Sequence, residues 1–158
     1  MASYTGQTGT RSAANFAGLG AAIDYLNDFG MAAVQAHNLA LRNAFAAAVA
    51  ALAIPGLVGA SPSPDPQNAP LWSSLFTVAL PPGVTSPAVG AALKSGYAIV
   101  VKMTGAKVFP AEWPPGSPDY ALRFSFHVFN DAAEVARVAA ALGAVVKDAV
   151  AQAGARLA

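Results

Sequence analysis

The stretch LRFSFHVFNDAAEVARVAAAL, residues 122–142, decides the fold, because its hydrophobic periodicity changes part-way along. In the first half, apolar residues alternate with more polar ones, which is typical of a strand with one buried face. Beyond Asp131 the apolar residues recur every three or four positions, as on an amphipathic helix. Glu134 follows Asp131 by three residues, which is the spacing of a capping box. The stretch therefore predicts a strand that leads directly into a helix.

The alternation divides the predicted strand into two sets of side chains. One set should pack against helices: Leu122, Phe124, Phe126 and Val128. The other set is more polar and should face a crevice: Ala121, Arg123, Ser125 and His127. Functional side chains are expected in the second set.

Upstream of this stretch, the pattern predicts three more helices. The first begins with Ser12 as N-cap and ends at Gly30. The second runs from about Ala32 to Leu52, with an apolar stripe of Leu41, Phe45, Val49 and Leu52. The third begins with Ser86 as N-cap and Pro87 at the first helical position.

Two further strands and two loops complete the predicted organisation. LFTVAL, residues 75–80, reads as a strand, and the β-branched run YAIVVKMT, residues 97–104, suits a central strand buried on both faces. Clustered prolines predict loops over residues 55–70 and 110–119. The order of elements predicts an α/β fold in which a small sheet is covered by helices.

Composition limits the possible partners. The 158 residues suit one domain, but only 11% are charged, 55% are hydrophobic and the mean hydropathy is +0.46. We therefore expect another domain or subunit to cover part of the surface. The net charge of +1 without a basic cluster argues against nucleic acid and membrane partners. The absence of cysteine excludes disulfides and thiolate chemistry, and no metal-ligand spacing occurs. No leader is visible, so the cytoplasm is the expected location.

Two stretches resemble a known family. TGQTGTRSAANFAGLGAAIDYLNDFG, residues 5–30, resembles the segment of class V aminotransferase-like enzymes in which a Gly-Thr turn precedes a long helix. Residues 122–142 resemble the C-terminal signature of the same family, and YAIVVK, residues 97–102, matches a strand between them. The resemblance is to members of the isopenicillin N epimerase and cysteine desulfurase kind.

The resemblance implies a fold and a division of the chain. It implies the C-terminal small domain of a fold type I pyridoxal-phosphate enzyme, with residues 1–54 as connecting helices and residues 71–158 as the small α/β domain. The large domain, which carries the Schiff-base lysine for pyridoxal 5'-phosphate, is expected before Met1 or in a second polypeptide. None of the lysines here has the context of that residue in the family: Lys94, Lys102, Lys107 and Lys147. The family also implies a homodimer.

The resemblance assigns two residues to a site. Arg123 would hold the carboxylate of an amino-acid substrate, since a guanidinium matches a carboxylate with two hydrogen bonds. The alternative is a structural ion pair of Arg123 with a helix carboxylate such as Asp148. Thr10 would contact the cofactor phosphate of the other subunit, and the alternative is a loop that only precedes a helix. His37, His127 and Asn130 are interpreted as structural, and no residue is assigned a catalytic or metal-binding role.

Two functions follow from these observations. The chain is either the C-terminal part of a pyridoxal-phosphate enzyme that acts on an amino acid, or a non-catalytic remnant of the fold that dimerises or binds a partner. Transamination, epimerisation and lyase chemistry share the carboxylate contact, so the sequence leaves the reaction and the substrate open.

Overall fold

The structure is a computed structural model that describes residues 12–61, 72–105 and 120–155. The chain divides into two compact units, of which the first ends at Val34 and the second spans Gln35–Ala158. The second unit contains the sheet and its core.

Helix α1 spans Ala13–Phe29 and carries an apolar stripe that remains exposed. The Ser12 side chain accepts a hydrogen bond from the Asn15 backbone N–H and so caps the helix. Gly30 ends it with a φ of 76°. None of its residues is buried, and three large side chains at helical spacing are each more than half exposed: Phe16, Leu19 and Ile23. The predicted bounds of α1 are confirmed.

Helix α2 spans Met31–Ala51 and supplies the aromatic centre of the core. Its predicted stripe is confirmed at Leu41, Phe45 and Val49, which are buried, whereas Leu52 follows the end of the helix and is partly buried. The Phe45 ring lies 4.5 Å from that of Phe124 and 5.4 Å from that of Phe126, measured between centroids. These contacts join α2 to one face of the sheet.

Within the described residues, the sheet has four antiparallel strands in the order β1-β2-β4-β3. The strands are β1 (Val58–Ser61), β2 (Leu75–Ala79), β3 (Lys102–Gly105) and β4 (Tyr120–Ser125). Helix α3 spans Ser86–Tyr97 and α4 spans Ala132–Ala155. The small sheet with its helices confirms the predicted α/β fold class.

Helix α4 packs its apolar stripe into the core of the second unit. Val135, Leu142 and Val146 are buried, as the periodicity predicts. A Cβ on Gly143 would lie 2.7 Å from Leu52 Cδ2, so a larger residue at this position would require the Leu52 side chain to move. By length and composition alone α4 could also span a membrane, but the core helix of a soluble protein meets the same criteria.

The prediction for YAIVVKMT, residues 97–104, is wrong in two respects. Helix α3 continues to Tyr97, and Ala98 then turns the chain in the left-handed conformation, so the strand starts only at Lys102. Among the described strands it also lies at the edge of the sheet and pairs only with β4. Val100, in the segment before β3, is 79% exposed, and Met103 on β3 is 48% exposed. A continuous apolar run reports hydrophobicity, whereas the number of neighbouring strands depends on the tertiary fold.

Three smaller expectations are also corrected. Thr85, rather than Ser86, caps α3, because the Thr85 hydroxyl accepts from the Ala88 backbone N–H and Ser86 is already helical. The loop expected over residues 55–70 contains β1, which pairs with β2. Strand β4 ends at Ser125; Ala121 is fully buried and Val128, beyond the strand, is 39% exposed, so the alternation in burial holds only from Leu122 to His127.

Candidate functional site

Arg123 lies in the middle of β4, on the exposed side of the strand. Its neighbours in register are Thr77 on β2 and Lys102 on β3. Leu122 and Phe124 are buried, whereas Arg123 and Ser125 are exposed, which confirms the predicted separation of the two sets at these positions. The guanidinium is therefore accessible from the face of the sheet.

The guanidinium of Arg123 makes no hydrogen bond or ion pair with any residue in the ranges that the structure describes. Asp148, the carboxylate considered as a structural partner, is exposed on α4 and is not paired with it. The strand therefore presents a cation that the described fold does not neutralise.

A groove of about 220 Å³ begins next to Arg123. The β3–β4 pairing starts at the Lys102–Arg123 pair, and residues 99–101 precede that pair without belonging to a strand. These residues line the groove together with residues 124–126, at the end of β4, and the first turns of α4. The groove thus opens where the ladder between the two strands ends.

The groove is mixed in character. Its apolar lining includes Ile99, Val101 and Val138, and its charged lining consists of Lys102, Arg123 and Glu134. Apolar walls with a few charged groups are typical of sites for small molecules. The arrangement can hold a small anion with a short hydrocarbon part.

Glu134 has a structural task at the start of α4. Its Oε2 accepts hydrogen bonds from the Asp131 backbone N–H at 3.2 Å and from Asn130 Nδ2 at 3.1 Å. In return, the Glu134 backbone N–H donates to Asp131 Oδ1 at 2.7 Å. This reciprocal pair confirms the predicted capping box.

Asn130 organises the turn between β4 and α4. Its Oδ1 accepts from the His127 backbone N–H at 3.0 Å, and its carbonyl oxygen lies 3.0 Å from His37 Nε2. The His127 ring stacks on Phe129 with centroids 4.9 Å apart. These contacts favour the structural interpretation of Asn130, His37 and His127.

Arg42 on α2 is a buried cation that sequence reasoning did not single out. Its guanidinium carbon lies 4.4 Å from the centroid of the Trp72 ring and 5.3 Å from that of Phe76. Its Nη1 donates to Asn43 Oδ1 at 2.6 Å. Burial lowers the pKa of Arg42 from its usual value, because the charged form loses hydration. The surrounding aromatic residues indicate a role in packing.

The cofactor site expected from the resemblance is not formed by the described residues. Thr10 and Lys107 lie outside them, and the remaining lysines Lys94, Lys102 and Lys147 are all exposed. Within the same ranges, no group of three or more His, Asp or Glu side chains could hold a metal ion.

The comparisons with known proteins cover most of the chain. The family model for aminotransferase class-V matches residues 2–138. The chain belongs to the class V aminotransferase family. A search of the curated proteins found no match.

A solved structure shares the fold of this class V aminotransferase chain. The cysteine desulfurase CsdA from Escherichia coli superposes with a TM-score of 0.64 at 24% sequence identity. The match covers 92% of this chain and 32% of CsdA, so the chain spans about a third of the length of that protein. At this identity the likeness shows the fold alone, and it agrees with the predicted fragment of a fold type I enzyme.

Proposed function

We propose that this chain is the C-terminal portion of a pyridoxal-phosphate-dependent enzyme that acts on an amino acid. Class V aminotransferases use this cofactor, which withdraws electrons from the α-carbon of a bound amino acid. In the proposal, Arg123 binds the α-carboxylate of the substrate and thereby fixes its orientation. The family match does not favour the alternative, a non-catalytic remnant.

The environment of Arg123 is the observation that carries the proposal. Its guanidinium is exposed beside a partly apolar groove and has no partner among the described residues. The planar fork of an arginine can donate two parallel hydrogen bonds to one carboxylate. A substrate carboxylate would therefore meet a cation held on a rigid strand, while its apolar part has room in the groove.

The proposed cofactor contact is made by Thr10. A Gly-Thr turn before a helix offers a hydroxyl and free backbone N–H groups to a phosphate oxygen. The Schiff-base lysine would come from a large domain or a second polypeptide. We further propose a homodimer in which Thr10 serves the site of the other subunit, and the cytoplasm as its location.

The proposal covers a class of enzymes rather than one reaction. Transamination, epimerisation and lyase reactions all require the amino acid to be held by its carboxylate. An activity of the isopenicillin N epimerase or cysteine desulfurase kind is compatible with the contact made by Arg123. The groups that select the reaction belong to the proposed large domain.

Exchange of Thr10 tests the cofactor half of the proposal in the complete enzyme. Thr10→Val removes the hydroxyl donor at nearly constant volume, so pyridoxal phosphate should bind more weakly by about 1–2 kcal/mol. The control Thr10→Ser keeps a hydroxyl and should retain most of the affinity. Absorbance titration of the apoenzyme measures both. Equal affinities of the Thr10→Val variant, the Thr10→Ser variant and the wild-type enzyme for pyridoxal phosphate would contradict the phosphate contact.

Mixed dimers test whether the contact crosses between subunits. Thr10→Val subunits are combined with subunits that lack the Schiff-base lysine. If Thr10 acts in trans, mixed dimers contain one site with both groups intact, and a tight-binding class of pyridoxal phosphate should appear. Uniformly weak binding would show that Thr10 serves its own subunit.

A further inference from the structure

We propose that Lys102 forms a second anion-binding position beside Arg123, and that the substrate is an amino acid with an acidic side chain. In this arrangement Arg123 binds the α-carboxylate and Lys102 binds the distal carboxylate. The inference rests on the proposed function, because it extends the role given there to Arg123.

The register of the sheet places the two cations side by side. Lys102 and Arg123 are direct partners in the antiparallel β3–β4 pair, so their side chains leave the same face of the sheet. The Cβ atoms of opposed residues are about 4.5–5.5 Å apart. Both side chains are exposed and both line the groove.

Two like charges in opposed positions repel each other, and such pairs destabilise a sheet. Neither Lys102 nor Arg123 is neutralised by a carboxylate from residues 12–61, 72–105 or 120–155. An anion that reaches both cations would remove this repulsion. The pair therefore favours a ligand with more than one negative group over a ligand with one.

The rest of the groove indicates how that ligand is built. Ile99, Val101 and Val138 offer apolar surface for the methylene groups of a short chain. Glu134 is the anionic group of the described lining, and its Oε2 is engaged by Asn130 and Asp131 at the start of α4. The described lining thus keeps a net positive charge, which complements a short dicarboxylate.

Lys102 and Arg123 differ in how they recognise an anion. The guanidinium of Arg123 is planar and suits the bidentate binding of one carboxylate, whereas the Lys102 ammonium is a point charge on a flexible stem. Arg123 is thus suited to fix the carboxylate common to all amino acids. Lys102 can reach a second carboxylate at a variable distance, which makes it a specificity-determining residue.

Amide NMR titrations of the 158-residue chain with succinate and with butyrate test this inference. The two probes share a four-carbon chain and differ in the second carboxylate, and ionic strength is held constant with NaCl. We expect the wild-type chain to bind succinate about fivefold more tightly than butyrate, the upper range for an exposed ion pair. Lys102→Gln should abolish this preference and leave butyrate binding unchanged.

Lys94→Gln and Lys147→Gln are matched controls, because each removes one charge from an exposed lysine on α3 or α4. Both should keep the preference for succinate. The inference is overturned if these controls reduce succinate binding as much as Lys102→Gln does, or if the wild-type chain does not distinguish the probes. The amide spectrum of each variant verifies that it is folded.

Arg123→Gln separates this inference from the proposed function. It should weaken the binding of both probes, since both carry the carboxylate that Arg123 binds. If Arg123→Gln weakens both and Lys102→Gln affects neither, only the inference about Lys102 fails. If Arg123→Gln leaves butyrate binding unchanged, the proposed role of Arg123 fails, and the inference that depends on it fails as well.

Discussion

The two sides of β4 differ in what their side chains contact. Phe124 is buried and meets the Phe45 ring of α2, while its neighbours Arg123 and Ser125 are exposed. One side of the strand therefore contributes to the core, and the other presents polar groups beside the groove. The same six residues thus hold the fold together and carry the proposed site, so changes one position apart should have different consequences.

The largest effect on stability is expected from the buried side. Phe124→Ala removes a ring from the aromatic cluster around Phe45 and should lower the free energy of unfolding by about 3–5 kcal/mol. Ser125→Ala, one position along on the exposed side, should change it by less than about 0.5 kcal/mol. Urea denaturation followed by circular dichroism measures both.

Phe124→Leu covers the case in which Phe124→Ala does not fold. A hydrophobic exchange of this kind should cost less than Phe124→Ala and still more than Ser125→Ala, because it keeps most of the buried volume. Equal stabilities of the Phe124 and Ser125 variants would show that the two sides of β4 do not differ as described.

A smaller effect is expected where β4 passes into α4. Asp131→Ala removes the side-chain acceptor of the capping box and should lower the free energy of unfolding by about 0.5–2 kcal/mol. Asp148→Ala removes the same charge from an exposed position further along α4 and should have little effect. If both variants lose the same stability, the effect is one of charge and not of the cap.

The periodic elements of the fold were predictable from the sequence. The stripe of Leu41, Phe45 and Val49 and the alternation between Leu122 and His127 report burial on one side, which local spacing reveals. Strand β1 was missed, because its glycine and the surrounding prolines resemble a loop and only pairing with β2 makes it a strand. The order of the strands is a tertiary property, which is why β3 was expected at the centre.

The site was predictable only in part. Arg123 stood out as a charged residue in an alternating strand, and its exposure agrees with that expectation. Lys102 was not assigned to the site, because its proximity to Arg123 depends on the register between β3 and β4. The sequence signal that could have pointed to Lys102 is its position as a charged residue at the end of the apolar run YAIVVK. Thr10 lies outside the described residues, and its contact with the cofactor remains a proposal.

Helix α1 shows a second limit of periodicity. Its apolar residues have the same spacing as those of α4, yet Phe16, Leu19 and Ile23 are exposed, while Val135 and Leu142 are buried. Periodicity thus predicts the helix and its apolar side, but not what covers that side. The low fraction of charged residues led to the expectation of a covering domain or subunit.

The affinity of Arg123→Lys for an amino acid, measured in the complete enzyme, tests the central claim most directly. Lysine keeps the charge but loses the bidentate fork, so the substrate should bind about 1.5–3 kcal/mol more weakly, about ten- to over a hundredfold. The affinity for pyridoxal phosphate and the unfolding temperature should stay at their wild-type values, because the side chain is exposed. An unchanged substrate affinity together with a lower unfolding temperature would contradict the claim and make Arg123 a structural residue.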